Sequence, residues 1–334
     1  MCAVPLDDRA VEMELSEPPP EVVDAVRALP GDFAVLGAGG KMGPTTAVML
    51  RRARVLGVSR FSRPEAQRAL AEWGVEPVAC DLAEPDAVAA LPDAPNVLFL
   101  AGQKFGTDAA PGETWIQNVV VPALVARRYR GARLVVFSTG CVYPFSPVAG
   151  PWACEGDPPG FIGEYGSSCV GRERVFAHYA KQSGTPVLFY RLYYAVEYRY
   201  GVLVDIGRAV RRGEPVDVTT GYLNCIWQRE AVARAIQGLG HAAVPPKPLN
   251  VTGPERHAVR DIAARFGRWF GRAPQFTGEE TATAWLADAS ESVRLFGPPR
   301  VGLDEMIARV AGYLEAGGRL LGKPTHFEVR DGKF

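Results

Sequence analysis

The chain of 334 residues is long enough to bury a large core, as one large domain or two smaller ones. Its content of 47% hydrophobic and 22% charged residues is typical of a globular protein, and Lys plus Arg equals Asp plus Glu at 37 each, so no net charge favours nucleic acid or an anionic membrane. No apolar run reaches the roughly 18 residues of a membrane-spanning helix, and the acidic, proline-rich start lacks a signal-peptide pattern, which predicts a cytoplasmic protein.

Stretches of aliphatic residues alternate with helical segments over the first 192 residues. After a loose extension over residues 1–20, the short helix PEVVDAVRAL leads into six strands, placed in DFAVLG, RVLGVSR, VEPVACDL, PNVLFLAG, ARLVVFST and PVLFYRL. Helices are predicted in GPTTAVMLRRA, PEAQRALAEWG, ETWIQNVVVPALVARRY and a segment that contains Tyr165 and runs to about Lys181. Buried strands joined by helices predict a parallel sheet covered on both faces.

We therefore predict an α/β fold, a Rossmann-type doubly wound parallel sheet with helices on both faces and a smaller C-terminal substrate lobe. The N-terminal extension with its short helix would occupy residues 1–30, and the dinucleotide-binding domain residues 31–192. Residues 193–334 would form mainly the substrate-binding lobe, from which a segment at about 222–252 returns to the first domain.

Cysteine and histidine spacing predicts neither a disulfide scaffold nor a metal site. The six cysteines include no C-x-x-C pair. The four histidines are too scattered to form a spaced ligand set: His178, His241, His257 and His326.

A glycine-rich loop joins the first predicted strand of the sheet to the helix that follows. In LGAGGKMG, Gly37, Gly40 and Gly43 have a G-x-x-G-x-x-G spacing, with Lys41 and Met42 between the last two. Glycines let the backbone turn tightly and approach a pyrophosphate, whose charge then lies at the helix N-terminus. This position between strand and helix predicts a dinucleotide-binding site.

The second predicted strand ends in GVSRFSR, where NAD-binding proteins usually carry an acid for the ribose 2′-hydroxyl. Ser59, Arg60 and Arg63 stand there instead, and arginine accommodates a 2′-phosphate. We therefore predict NADP(H) as the cofactor, with NAD as the alternative.

Ordered motifs over roughly residues 33–316 resemble the extended short-chain dehydrogenases/reductases, the NAD-dependent epimerase/dehydratase family. They include the glycine loop, CDL, VLFLAG, VVFSTGCVYP, EYGSSCVGRER and PLNVTGPE. The resemblance implies that Tyr165 is the catalytic acid or base and that the Thr139 hydroxyl holds the same substrate oxygen. It also implies further cofactor-binding residues: Asp81, Leu82, Ala101, Gly102, Gln103 and Asn118, and Tyr165 itself.

In that family a lysine follows the tyrosine by four residues, lowers the tyrosine pKa and binds the nicotinamide ribose. Cys169 stands in its place, one helical turn beyond Tyr165. Lys104 in AGQKFG is the candidate substitute cation, because its loop follows the fourth strand at the cofactor edge. Arg172 is a poor one, since it lies about 10 Å along the helix axis. Otherwise Tyr165 acts mainly as a general acid, or catalysis has been lost.

The thiol of Cys169 admits two roles at this position. A reactive thiol needs a histidine or another cation nearby, and His178 is nine residues further along the helix. We interpret Cys169 as a buried, inert thiol and keep a covalent nucleophile as the alternative.

The substrate side is predicted from the later segments. Gly140 and Cys141 follow Thr139 where 4,6-dehydratases of the family carry an Asp-Glu pair, which disfavours that class. Tyr194 stands where an asparagine is common, and Arg191 or Arg229 would suit an acidic group. With no clear site for a nucleotide diphosphate, a free sugar or sugar acid is predicted. The candidate substrate residues are Thr139, Tyr193, Tyr194, Asn224, Trp227 and Arg229.

Together these features predict an NAD(P)-dependent oxidoreductase that acts on a hydroxyl or carbonyl of a sugar or sugar acid. Two alternatives stay open: a redox-neutral sugar epimerase with tightly bound NAD, and a catalytically silent NADP(H)-sensing protein. The resemblance implies a homodimer formed through the helices that match 115–129 and 165–181. The final GKPTHFEVRDGKF lies beyond the usual family end, and would fold back over the lobe or join a partner subunit.

Overall fold

Strands and helices alternate along the first two thirds of this computed structural model, which describes residues 4–333. The strands are β1 (Phe33–Leu36), β2 (Val55–Ser59), β3 (Glu76–Ala79), β4 (Asn96–Phe99), β5 (Arg133–Thr139), β6 (Ser146–Pro147), β7 (Val187–Leu192), β8 (Tyr194–Val196), β9 (Pro215–Asp217), β10 (Tyr222–Leu223), β11 (Cys225–Trp227), β12 (Lys247–Val251), β13 (His257–Ala258), β14 (Gln275–Thr277) and β15 (Thr283–Ala284). Most of those after β7 are too short to form more than isolated two-stranded pairs.

The helices cover both faces of the sheet and build the lobe. They are α1 (Asp8–Ser16), α2 (Pro20–Ala28), α3 (Gly43–Met49), α4 (Pro64–Glu72), α5 (Pro85–Ala89), α6 (Pro111–Trp115), α7 (Val121–Arg128), α8 (Gly163–Ser183), α9 (Val202–Arg212), α10 (Gln228–Gly238), α11 (Val259–Phe270), α12 (Ser290–Phe296) and α13 (Leu303–Glu315). A π-helical turn, Ile116–Val120, joins α6 to α7. Within residues 4–333, no helix combines the length and apolarity that crossing a bilayer requires.

A seven-stranded parallel sheet in the order β12-β7-β5-β4-β1-β2-β3 forms the centre of the molecule. Phe33 and Val35 of β1 belong to the hydrophobic core on one face of the sheet, and Ala34 and Leu36 to the core on the other. Strands covered on both faces need continuous apolar sequence, which explains why these runs were recognisable. The predicted Rossmann-type α/β fold is confirmed. Its carboxyl ends, with the loops after β1, β4 and β5, position the site described below.

A separate hydrophobic core holds the lobe together. It packs α9, α11 and α13 around large buried side chains such as Trp227, Phe266 and Tyr313. The same core contains Val11 and Leu15 from α1 and Phe327 from the C-terminal segment. Residues far apart in the chain therefore stabilise the lobe together.

The prediction of a loose extension over residues 1–20 is wrong for residues 8–16, which form α1. The Asp7 side chain caps this helix by accepting a hydrogen bond from the Ala10 amide at 2.7 Å. Val11 and Leu15, four residues apart, lie on its buried face. Val11 and Leu15 are the two large apolar residues on this face, and charged residues surround them in the sequence. Two apolar positions are too few to reveal a helical repeat in the sequence. Residues 1–3 of the predicted extension lie outside the described residues.

If α1 is an integral part of the lobe, Leu15→Ala should lower the free energy of unfolding by about 2 kcal/mol or more, because it leaves a cavity in a close-packed core. Met13→Ala on the exposed side of the same helix is the control and should change stability little. Denaturant titration followed by circular dichroism measures both. Equal small effects would mean that α1 is only loosely docked.

Candidate active site

The glycine loop after β1 packs against the end of β4. Gly37 has a φ of +98°, and a Cβ placed on it would lie 2.8 Å from the Ala101 amide nitrogen. A Cβ on Gly43 would collide with the Gly37 carbonyl group. Only glycine fits these two positions, so the backbone stays open at the point where a dinucleotide would approach. This geometry fits the cofactor that the loop predicts.

A cavity of about 910 Å³ extends from this loop along the ends of β2, β3 and β4. It brings together most of the predicted cofactor residues: Gly37, Gly40, Ser59, Arg60, Arg63, Asp81, Leu82, Ala101 and Gly102. An Nη1 atom of Arg60 lies 4.0 Å from Oδ2 of Asp81, and both side chains remain largely exposed. Arg60 and Arg63 are therefore available to a ligand at the end of β2.

Asn118, in the π-helical turn, fixes the loop that follows β4. Its Oδ1 accepts a hydrogen bond from the Gln103 amide at 2.9 Å, and its Nδ2 donates to the Gln103 carbonyl at 2.8 Å and to Ser168 Oγ at 3.0 Å. Asn118 is fully buried. Asn118 thus holds the loop that contains Gln103 through two hydrogen bonds, and neither residue lines the larger cavity.

Lys41 and Met42, in the glycine loop, turn away from the cofactor cavity. Met42 packs against the core beside the sheet. Nζ of Lys41 donates to the Ala195 carbonyl at 3.2 Å and lies 4.0 Å from the centre of the Tyr200 ring. Burial lowers the pKa of Lys41 to about 7, although Glu197 opposes the shift. Lys41 therefore connects the glycine loop to the segment that contains Ala195 and Tyr200.

Tyr165, Thr139 and Cys169 lie together where β5 ends and α8 begins. The Thr139 hydroxyl accepts a hydrogen bond from the Cys141 amide at 3.2 Å and caps the turn that follows β5. Tyr165 is hydrogen-bonded to the side chains of Thr139 and Cys169. Cys169 is fully buried in a cluster that includes Tyr193. The predicted pair of hydroxyls thus meets at one point, with a thiol at the lysine position.

Burial is the main cause of a Tyr165 pKa well above its ordinary value, and the neighbouring Cys169 and Cys141 thiols raise it further. The Arg172 charge and the hydrogen bond to Thr139 oppose this rise only in part. Burial also raises the pKa of Cys169 to about 11. Both groups are therefore protonated at neutral pH, and Cys169 lacks the thiolate character of a nucleophile.

Arg172 reaches further into the site than its position along α8 suggests. Its guanidinium donates to Asn118 Oδ1 at 2.6 Å and to the Phe137 carbonyl at 2.8 Å, and it lies against Gly102. Its charge lowers the pKa of Tyr165 and Cys169, but less than burial raises them. The rise along the helix axis does not predict this contact, because the long Arg172 side chain reaches back toward Asn118.

A second cavity, of about 420 Å³, adjoins Thr139 on the lobe side. It is lined by Lys104, Thr139, Gly140, Cys141, Leu192, Tyr193, Tyr194, Trp285, Thr325, His326 and Phe327. Nζ of Lys104 donates to the Thr325 carbonyl at 3.4 Å, and burial lowers the Lys104 pKa while Cys141 opposes the shift. The predicted residues Lys104, Tyr193 and Tyr194 are therefore at this cavity. The C-terminal residues and Trp285 were not predicted, because no local motif marks them.

Three predicted substrate residues lie away from this cavity. Asn224 is buried and donates from Nδ2 to the Ala287 carbonyl at 2.9 Å. Trp227 is fully buried in the lobe core, since its large ring fills the space next to Tyr198. Arg229 donates from Nε to the Glu17 carbonyl at 2.9 Å, on the side that faces the N-terminal helices. The structure does not bring these three predicted residues to the cavity beside Thr139, and each makes contacts within the protein.

Arg191, the other arginine considered for an acidic substrate, is occupied within the protein. It forms a buried pair with Glu173, with Nη2 2.6 Å from Oε2, and it also contacts the Tyr143 hydroxyl. Glu173 accepts a further hydrogen bond from Ser138 Oγ at 2.6 Å. This network joins β5, β7 and α8 beneath the site and leaves Arg191 no free face toward a ligand.

Comparisons with known proteins give the same fold and identify a family. The family model described as "NAD dependent epimerase/dehydratase family" matches residues 33–199, half of the chain. None of the curated proteins compared with this sequence matches it.

Solved structures share the fold at low sequence identity. The UDP-glucose 4-epimerase of Thermus thermophilus in complex with NAD is 18% identical, with a TM-score of 0.70 over 85% of this chain and 99% of that one. The UDP-glucuronic acid 4-epimerase of Bacillus cereus in complex with NAD is 18% identical, with a TM-score of 0.73 over 85% and 99%. The UDP-glucose 4-epimerase of Thermotoga maritima with UDP-glucose is 16% identical, with a TM-score of 0.72 over 86% and 99%.

Proposed function

Because the chain belongs to the NAD-dependent epimerase/dehydratase family of enzymes, we propose that it is an NADP(H)-dependent reductase that acts on a carbonyl group of a small sugar or sugar acid. The observation that carries this proposal is the partly buried Tyr165, which is hydrogen-bonded to Thr139 at the smaller cavity, with a thiol where an ammonium would favour the phenolate. A tyrosine in this environment is an acid at neutral pH.

The residues of the larger cavity would hold the cofactor. The glycine loop suits the pyrophosphate, Asp81 and Leu82 suit the adenine, and Arg60 with Arg63 suits a 2′-phosphate. When bound, the reduced cofactor supplies a hydride. The chain itself binds and orients it, chiefly through the loop that Asn118 supports.

Tyr165 would donate its phenolic proton to the substrate oxygen as that oxygen gains negative charge. Thr139 would hold the same oxygen from β5 through its hydroxyl group. In the reverse direction Tyr165 would first have to lose its proton, and the raised pKa makes that step unfavourable near neutral pH. The environment of Tyr165 therefore favours reduction of a carbonyl over oxidation of an alcohol.

The test is consumption of NADPH, followed by the loss of its near-ultraviolet absorbance, with a panel of free ketoses, aldoses, keto-sugar acids and uronates. Turnover of one group above the background rate supports the proposal. Failure of every member, with NADPH binding intact, would contradict it.

A redox-neutral epimerase is the second candidate, because the structural neighbours are named as 4-epimerases of UDP-sugars with bound NAD. Such an enzyme keeps its cofactor through turnover. Absorbance of the purified protein distinguishes the candidates: a stoichiometric nucleotide that does not exchange favours the epimerase.

For the cofactor, we expect NADPH to bind about tenfold more tightly than NADH, since Arg60 and Arg63 line the larger cavity and a 2′-phosphate can replace the long, exposed pair of Arg60 with Asp81. The double variant Arg60→Ser, Arg63→Ser should remove this preference. Arg68→Ser, on the exposed face of α4 and paired with Glu65, is the control. Quenching of tryptophan fluorescence measures the dissociation constants. Tighter NADH binding by the unmodified protein would contradict the NADP(H) assignment.

A homodimer is proposed through α6, the π-helical turn and α8. Trp115, Ile116 and Val120 are exposed large apolar side chains on adjacent turns there, and Phe161 is exposed just before α8. Gly171 of α8 packs against Val119, so both helices share one face. Contiguous exposed apolar groups of this kind are typical of protein–protein interfaces.

A further inference from the structure

The C-terminal segment, residues 325–333, lines the smaller cavity with Thr325, His326 and Phe327 and is fixed at its start. The Thr325 amide and hydroxyl both donate to Asp205 Oδ2 of α9, at 2.8 and 2.6 Å. The Thr325 carbonyl accepts from Lys104, and the Phe327 ring is buried in the lobe core. The start of the segment is therefore tied to both the lobe and the loop after β4.

The remainder of the segment is also held in place, through Arg330 and Gly332. Arg330 donates to the Thr283 carbonyl at 2.8 Å and to its Oγ1 at 2.6 Å, and its guanidinium lies 3.9 Å from the centre of the Phe145 ring. A Cβ on Gly332 would lie 2.6 Å from the Ile162 carbonyl oxygen, so the backbone packs directly against the start of α8. The segment thus runs from α9 to the helix that carries Tyr165.

His326 is the residue that this path presents to the cavity. Its φ of +53° lies in the left-handed region, where residues other than glycine are uncommon. Its ring faces Phe105, with 6.2 Å between the ring centroids. Hydrogen bonds of the preceding Thr325 and burial of the following Phe327 hold this backbone conformation. Such conformations are often retained where a side chain must point at a ligand.

A second observation points to a polar ligand in the same cavity. The Tyr193 hydroxyl is buried and has no hydrogen-bond partner among residues 4–333. Burying a hydroxyl in this state is unfavourable, and a ligand hydroxyl in the cavity would satisfy it. The faces of Tyr194, Trp285 and Phe327 supply the apolar walls that a sugar ring would pack against.

We propose that residues 325–333 form part of the substrate site, that His326 and Tyr193 bind substrate hydroxyl groups, and that this segment restricts the site to small sugars without a nucleotide. This inference rests on the proposed function and names its substrate class. This cavity has less than half the volume of the larger one, about 420 Å³ against about 910 Å³. Three residues of the segment line this cavity, so the segment forms one of its walls and would limit the room for a larger substituent.

The experiment compares ligands that differ only by the nucleotide: D-glucose with UDP-glucose, and D-glucuronate with UDP-glucuronate. Titration calorimetry is performed on the NADP-loaded protein, both full-length and truncated after Lys323. One of the two free sugars should bind more tightly to the full-length chain. We expect its affinity to be at least tenfold higher than that of the corresponding UDP-sugar. The truncated chain should bind the free sugar at least tenfold more weakly than the full-length chain does. It should bind the nucleotide sugar at least tenfold more tightly.

His326→Gly tests the same idea in a chain that keeps its segment, because glycine tolerates the positive φ. Free-sugar binding should weaken at least fivefold. The NADPH dissociation constant should not rise, and the thermal midpoint should not fall. Lys323→Ala, exposed and outside the segment, is the control.

Tighter binding of UDP-glucose than of glucose by the full-length chain would overturn the inference. It would also be overturned if truncation left the ratio of free-sugar affinity to nucleotide-sugar affinity unchanged. The same holds if neither chain bound a nucleotide sugar. These outcomes are distinct from failure of the proposed function, in which free sugars bind but are not reduced.

Discussion

Replacing Tyr165 by phenylalanine should lower kcat/KM for carbonyl reduction about a thousandfold, because the variant keeps the ring but cannot donate a proton to the substrate oxygen. The NADPH dissociation constant should not change, since the hydroxyl contacts Thr139 and Cys169 and not the larger cavity. Steady-state kinetics and fluorescence titration measure the two quantities.

The pH profile of the unmodified enzyme provides an independent measurement. A pKa well above the ordinary tyrosine value leaves the acid form dominant throughout the neutral range, so kcat/KM for reduction should be flat from about pH 6 to pH 9. Oxidation of the product alcohol requires the phenolate and should rise with pH over the same range. Tyr179→Phe, on the same helix, is the control for loss of a hydroxyl. Full activity in Tyr165→Phe would reject the catalytic role and favour the NADP(H)-sensing alternative.

Cys169→Lys should accelerate alcohol oxidation at pH 7 about a hundredfold while changing carbonyl reduction little. An ammonium one helical turn from Tyr165 would favour the phenolate, and a pKa lowered by about two units gives about a hundred times more of it. The increase should be about the same throughout the neutral range and should become smaller only when the pH exceeds the pKa of Tyr165 in the variant. Rates of NADP⁺ reduction from about pH 6 to pH 10 measure this.

Cys169→Met is the matched control, since it lengthens the side chain at the same buried position without adding charge. Thermal unfolding of both variants separates a loss of folding from a change in chemistry. A large gain in reduction in Cys169→Lys would mean that the native site is impaired and is not adapted to act as an acid.

The central sheet could be predicted from the sequence because its strands are buried on both faces. All six strands placed in the first 192 residues are present, and Tyr165 lies in a helix that ends near the expected residue. The edge strand Lys247–Val251 contains a proline and a lysine and gives no comparable signal. Helix α1 was missed for the opposite reason, because its charged surface dominates its composition.

The candidate site could be predicted where a residue's position follows from local order along the chain. Thr139 ends a strand and Tyr165 begins a helix, so both could be placed before the structure was known. Asn224 and Trp227 could not, because the strands around them have only two or three residues and their packing is set by the lobe core. His326 depends on contacts with Asp205 and Phe105, more than a hundred residues away. Such long-range contacts leave no local pattern.

The lobe core that joins Val11 and Leu15 to Phe327 has a consequence for how the protein is made. Five neighbouring strands of the sheet, β1 to β5, lie within residues 33–139, so this part can pair early from nearby segments as the chain is synthesised. The lobe must close a loop of some three hundred residues before its core is complete, and such distant contacts form slowly. We therefore expect the glycine loop and its neighbouring strands to become structured first in folding, and the cavity lined by Thr325, His326 and Phe327 to form last.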